Sequence, residues 1–215
     1  MKKVNTYTLA MMSMFSAIIV LLAFVPYIGY IRLPFLAIQA TTIHIPVIVG
    51  SILLGPKCGA VLGGVFGLTS LINNTIQPGI ISFCFSPFID LGDGLGGSPL
   101  ALVVCFIPRI LCGVVPFYVY KGFRKIGGVS GLKDKVWLLI SGIAGSLTNT
   151  VLVMGMIYLF FGQQYAIAKE IAYEAVIGVV LSVVGINGTL EAITAAIIAS
   201  AATVSIQKAG LIRKR

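Results

Sequence analysis

Apolar residues occupy this chain in long runs broken by brief polar interruptions, and the run lengths predict its elements. The first run predicts a helix over residues 7–25 ending at Pro26; it follows Met1-Lys2-Lys3 as a signal peptide would, but no small-residue cleavage pattern comes after it, so it is read as a retained span. Residues 27–40 alternate and carry Pro34, which predicts an external loop of extended character. Two shorter apolar runs follow, 41–54 and 58–72, hinged at Gly55-Pro56-Lys57. A helix over the first would rise roughly 21 Å, short of a hydrocarbon core of about 30 Å. Short segments interrupted by Gly or Pro persist at membrane depth only where neighbours shield them or a cavity wets them, so the pair points toward a solute site.

Beyond it, residues 73–98 form a long external connection rich in Gly, Pro, Asn and Asp, with the aromatic patch SFCFSPF at 82–88. A fourth span is predicted over 99–120, interrupted by Pro108 and Pro116, then a basic internal loop over 121–135, a fifth span over 136–161, an external piece over 163–174 and a long sixth span over 175–206. No internal repeat is visible, and no room is left for a separate soluble domain. The expected fold is therefore an all-α membrane protein with six transmembrane helices in one domain over 1–215.

Composition agrees: 58% of residues are hydrophobic and 10% charged, too few polar groups to cover a soluble domain of 215 residues. The formal charge of +9 needs no nucleic-acid partner, because its sources lie in short loops and termini rather than in a basic domain. With six spans and both termini cytoplasmic, Lys2, Lys3, Lys57, Lys121, Arg124, Lys125, Lys133, Lys135, Lys208, Arg213, Lys214 and Arg215 all fall inside, with Asp134 the only acid, and Arg32 and Lys169 fall outside. That is the positive-inside bias.

Catalytic and metal chemistry find little support. Cys58, Cys84, Cys105 and Cys112 form no CxxC pair and His44 is the single histidine, so the cysteines read as small buried hydrophobes and no metal or cofactor is expected on this chain. The turn from Gly50 to Cys58 superficially resembles a phosphate-binding loop, but Pro56 separates glycine from lysine and Cys58 stands where a Mg-binding hydroxyl belongs. Uphill transport would have to draw on a partner or an ion gradient.

A few polar residues within the spans carry the candidate chemistry. Arg109 lies roughly 15 Å into span four, near mid-bilayer. Glu191 lies near the middle of span six with Asn187 one turn before it. Either Arg109 and Glu191 neutralise each other and order the bundle, or one or both face a polar cavity. Ser141, Gly145, Thr148 and Asn149 form a small, polar stripe on span five that serves interhelical hydrogen bonding or, through Asn149, ligand reading. His44, Asn73 and Asn74 stand at outer helix ends, as caps or ligand contacts. On span one, Ala10, Ser13 and Ala17 form a small-residue face suited to close helix packing.

Five stretches together resemble the substrate-binding S components of energy-coupling factor (ECF) vitamin transporters, across essentially the whole chain: 44–75 (HIPVIVGSILLGPKCGAVLGGVFGLTSLINNT), 85–88 (FSPF), 108–115 (PRILCGVV), 146–155 (SLTNTVLVMG) and 187–192 (NGTLEA). Within that superfamily the pattern is most similar to the pantothenate-type group, with riboflavin and folate members as relatives. The resemblance implies six helices, a vitamin pocket formed by the outer loops and the ends of helices four to six, and docking on a transmembrane coupling protein bound to two cytoplasmic ATPases, which use the ATP. It implies a coupling contact at Ser13 and Ala17, with Ser in place of the usual first alanine, and toppling in the membrane to deliver cargo. For pantothenate, Arg109 would meet the carboxylate while Asn149, Asn187 and His44 meet amide and hydroxyl groups; Asn73, Asn74 and Phe85 line the rim. Glu191 is a further ligand candidate, although pairing with Arg109 would favour a neutral ligand. Riboflavin would instead call for stacking on Phe83, Phe85, Phe88 or Tyr30. A stand-alone ion-coupled carrier or channel and an intramembrane enzyme are the competing classes; the enzyme requires an activated nucleophile or a metal cluster, and neither is visible.

Overall fold

The computed structural model describes residues 6–25, 29–33, 38–92, 94–128 and 131–210, of which 30–33 and 38–40 are described by their backbone alone. Lys2, Lys3, Pro26, Pro34, Arg213, Lys214 and Arg215 lie outside the described residues, as do the side chains of Tyr30 and Arg32.

Six helices carry the chain: α1 (Thr6–Phe24), α2 (His44–Leu54), α3 (Pro56–Ile76), α4 (Leu100–Gly127), α5 (Gly131–Ala168) and α6 (Tyr173–Lys208). All but α2 are long and apolar enough to cross a membrane. Between α1 and α2, strands β1 (Tyr30–Leu33) and β2 (Ile38–Thr41) pair antiparallel, Tyr30 opposite Thr41. This ribbon realises the alternation read over 27–40 and is appended to an otherwise helical bundle.

Helix ends depart from the apolar runs in an instructive way. Only one member of the expected short pair is short: α2 begins at His44 and has 11 residues, whereas α3 has 21, from Pro56 through Asn73 and Asn74. Gly55 sits at φ 102° and Pro56 takes the first helical position, where its missing N–H costs nothing, so the helix restarts two residues before the apolar run does. The expected basic loop over 121–135 is mostly helical, because α4 continues to Gly127 and α5 starts at Gly131. Similarly, most of 163–174 belongs to α5 and α6. Apolar runs mark the part that needs burial or lipid, while backbone hydrogen bonding carries each helix past it.

Close backbone approach sets the packing. A Cβ added at Gly59 would lie 2.9 Å from the Gly113 carbonyl carbon, at Gly63 2.8 Å from Ile110 Cα, and at Gly67 3.2 Å from Cys105 O, so α3 and α4 run antiparallel in contact along one glycine face. Cys105 Sγ donates to the Gly67 carbonyl at 3.2 Å. On α5, Gly142 abuts Ala195 and Ala196 of α6, and Gly145 abuts Ile48 of α2 and Pro116 of α4. Helix α1 offers Met11, Phe15, Ile19 and Ala23, four residues apart, as its buried stripe.

These antiparallel neighbours bring Lys57, Lys121, Arg124, Lys125, Lys133, Lys135 and Lys208 to one end of the bundle. There the Tyr120 hydroxyl donates to Asp134 at 2.9 Å, Arg124 lies 3.4 Å from the same carboxylate, and Trp137 stacks on Phe123 at 4.9 Å. At the opposite end, residues 77–99 fold back onto α3: Ser82 Oγ donates to Asn74 Oδ1 at 2.7 Å, and Thr75 and Ser86 share a hydrogen bond of 2.7 Å.

Candidate ligand-binding site

Two apolar clusters fill the bundle, one above the other. The first, toward the basic end, contains Phe15, Ile48, Phe66, Cys112, Leu138 and Ala195; the second, toward the loop end, contains Phe83, Val104, Val153, Ile157, Phe161 and Val180. On each of the three long helices that contribute to both, buried polar residues lie between the clusters, among others such as Cys105, Pro108 and Ala192. The polar ones are Arg109 on α4, Ser146, Asn149 and Thr150 on α5, and Glu191 on α6, all buried. His44, the first residue of α2, is buried at the edge of the first cluster, three residues after Thr41, which bonds Glu191. A polar layer thus crosses the interior between two greasy ones.

Its members differ in how well the protein satisfies them. The Glu191 carboxylate is well supplied: Oε1 accepts from the Thr41 backbone N–H at 2.7 Å and from the Thr41 hydroxyl at 2.9 Å, and Oε2 accepts from the Thr150 hydroxyl at 2.9 Å. Of the two readings open for Arg109 and Glu191, mutual pairing is not the one seen among the described residues: the Glu191 carboxylate is taken up by threonine contacts. Arg109 Nη1 donates to the Val104 carbonyl at 2.8 Å, and the guanidinium lies 5.6 Å from the centre of the Phe66 ring and 5.1 Å from that of Phe85. A cation over each aromatic face gains about 0.5–2 kcal/mol, which offsets part of the cost of its burial.

His44, 1% exposed, has neither ring nitrogen met by a protein group among the described residues, and the same holds for Asn149 Oδ1 and Ser146 Oγ. Leaving a buried polar group unmade costs about 1–3 kcal/mol; Ser51 Oγ and Thr203 Oγ1, nearer the basic end, share the condition, but the layer adds an imidazole and an amide, which can offer a polar ligand both donors and acceptors.

Through Thr41 and Thr150, the structure ties the segments that carry His44 and Asn149 to Glu191, and it sets Phe85 against Arg109. Elsewhere it disperses the candidates. Asn187 is half-buried one turn from Glu191. Asn73 is half-buried within α3, and Asn74 is engaged by Ser82 and by the Ser70 carbonyl, to which its amide donates at 2.8 Å. Of the polar stripe on α5, Ser141 and Thr148 hydrogen-bond back to their own helix, to Trp137 O and Ala144 O. Among the candidate aromatics with described side chains no stacking box forms: Phe83 is fully buried edge-to-face on Phe161, and Phe88 is exposed. Thr41, Ser146 and Thr150 were missed by sequence reasoning; the hydroxyl-rich run 146–150 was the available signal for the last two. Ser13 and Ala17 are exposed on α1, off the buried stripe.

Residues 7–202 match the family described as ECF transporter, substrate-specific component. The chain belongs to that family. As an S component it is a multi-pass protein of the bacterial cell membrane, and its family supplies the substrate-specific part of a transporter rather than an enzyme. It is 36% identical to "Pantothenic acid transporter PanT" of Lactococcus lactis subsp. cremoris, over 91% of this chain and 98% of that relative. It is 30% identical to "Pantothenate transporter PanT" of Leuconostoc mesenteroides subsp. mesenteroides, over 92% of this chain and 90% of the relative. Among solved structures, the S component for biotin from an ECF-type ABC transporter is similar at 18% identity and a TM-score of 0.48, covering 90% of this chain and 88% of that one.

Proposed function

We propose that this S component captures pantothenate from outside the cell and delivers it, through a transmembrane coupling protein, to an importer driven by two cytoplasmic ATPases. The observation that carries the reading is a buried guanidinium on α4 together with buried polar groups on α2 and α5 that have no partner among the described residues, in a chain 36% identical to a pantothenic acid transporter. Pantothenate offers a carboxylate, an amide and two hydroxyls. A planar guanidinium suits the first. Asn149, His44 and Asn187 suit the others, because an amide and an imidazole both donate and accept. Phe85 flanks Arg109, and Asn73 and Asn74 stand at the rim. The loss of the Arg109–Glu191 pair favours an acidic ligand over a neutral one, since Glu191 does not compete for the guanidinium.

In this reading the basic end faces the cytoplasm with both termini, following the positive-inside rule, and the ribbon and residues 77–99 face outward. ATP is hydrolysed by the partner subunits, while Ser13 and Ala17 present the small-residue face on which the coupling protein docks.

Mass spectrometry of small molecules retained by the detergent-purified chain tests the ligand, and pantothenate is the expected finding. Arg109→Ala removes a charge-assisted contact and is expected to weaken pantothenate binding roughly 10- to 100-fold. Retention of a different vitamin, or unchanged affinity in the variant, would overturn the assignment. Uptake into vesicles by the chain alone, driven by an ion gradient, would establish the stand-alone carrier instead.

A further inference from the structure

We propose that Glu191 is the positioning residue of the polar layer: by holding Thr41 and Thr150 together, it sets His44 and Asn149 against each other for ligand capture. The inference rests on the reading of this layer as the pantothenate site. Its support is geometric. One carboxylate on α6 bonds two elements that lie 150 and 41 residues away in sequence. Thr41 is the last residue of β2, and His44 opens α2 three residues later. The connector has little slack, because Thr42 N donates to Gly29 O at 3.0 Å and Ile45 N donates to Thr42 O at 3.0 Å. On the other side, Thr150 immediately follows Asn149 on α5.

The need for such a residue follows from the length of α2. At 11 residues it spans roughly 16 Å, so its first turn ends inside the bundle rather than at a surface. Its start carries no side-chain cap. The Thr41 N–H, just ahead of that start, would be a part-buried donor without a partner if the carboxylate were removed. An anion near a helix N-terminus also complements the dipole of α2. The rest of α2 is packed by apolar side chains such as Val47, Ile48 and Ile52, whose contacts resist separation but are not directional. Hydrogen bonds are directional, so Glu191 fixes what the apolar packing leaves free, the height and rotation of His44 relative to Asn149.

The test compares Glu191→Ala, Glu191→Gln, Thr150→Val and the Glu191→Ala/Thr150→Val double variant in the full chain, reading pantothenate affinity and amide exchange over residues 41–45. Glu191→Ala is expected to weaken binding roughly 10- to 100-fold, the range for hydrogen bonds to a charged group, and to speed exchange at 41–45. Glu191→Gln keeps an oxygen for Thr41 and an amide donor for the Thr150 oxygen, so affinity should stay within about threefold of wild type. Thr150→Val should weaken binding by itself, and the double variant should be no weaker than Glu191→Ala, because both cut one linkage. Three results would overturn the proposal: Glu191→Gln as damaging as Glu191→Ala, Thr150→Val binding as wild type, or unchanged exchange at 41–45 in Glu191→Ala. Should Glu191→Ala fail to fold, the other two single variants decide. If the wild type does not bind pantothenate at all, the ligand assignment falls, and exchange at 41–45 still decides the role of Glu191.

Discussion

Gly63→Ala adds one methyl group at the point where α3 and α4 touch, and its effect follows from the backbone on the far side. The new Cβ would sit 2.8 Å from the Arg109 carbonyl carbon and 2.8 Å from Ile110 Cα, and closer still to the Arg109 oxygen. Ordinary van der Waals contact begins near 3.4 Å, and every atom met is main chain, so no side chain can swing away. The helices must therefore part by about 0.6 Å or more, at an overpacking cost of about 1–3 kcal/mol. The displaced segment carries Arg109, so pantothenate affinity should fall roughly tenfold or more, about 1.4 kcal/mol. Gly64→Ala is the internal control: its Cβ would meet nothing within 4 Å. That variant should be neutral or stabilised by up to about 1 kcal/mol, because alanine is the better helix former. Thermal denaturation in detergent with equilibrium binding of labelled pantothenate compares the two. If Gly63→Ala melts and binds as Gly64→Ala does, the close approach of α3 and α4 is not what holds Arg109 in place.

Two further outcomes are expected. Ala17→Trp places bulk on an exposed face of α1, off the stripe of Met11, Phe15, Ile19 and Ala23, so detergent binding should change by no more than about twofold. ATP-dependent uptake in vesicles containing the coupling protein and ATPases should be lost, and full uptake would remove this face from the docking surface. Trp137, the only tryptophan, stacks on Phe123 at the basic end, away from the polar layer, so saturating pantothenate should leave its emission nearly unaltered. A pronounced quench or shift would show that the ligand sits at the other end of the bundle.

Much of the candidate chemistry was visible in the chain because a charge in an apolar run is conspicuous: Arg109 and Glu191 each interrupt a long hydrophobic stretch, and burying either demands a partner. The identity of that partner was not visible. Pairing with Glu191 was one of two readings that charge alone left open, and the carboxylate is met instead by Thr41, from a strand 150 residues away. The polar stripe on α5 shows the same limit. Ser141 and Thr148 look as available as Asn149 in the sequence, yet their hydroxyls donate to carbonyls one turn back, whereas Asn149 Oδ1 is an acceptor that no carbonyl can satisfy and that meets no donor among the described residues.

By itself the sequence determined the solvent this protein lives in, the number of its helices and the sorting of its lysines and arginines toward one end, since these depend on run length and composition, which are local. Its glycines Gly59, Gly63, Gly64 and Gly67 allow close backbone approach, but only the structure shows that Gly64 faces open space. Only the tertiary structure decided where α3 begins and ends, that Glu191 belongs to Thr41 and Thr150, and that the polar residues of α4, α5 and α6 fall in one layer between two apolar clusters. Those outcomes depend on the register of helices against one another, and register is set by backbone contacts at a few small residues that no single stretch of chain contains.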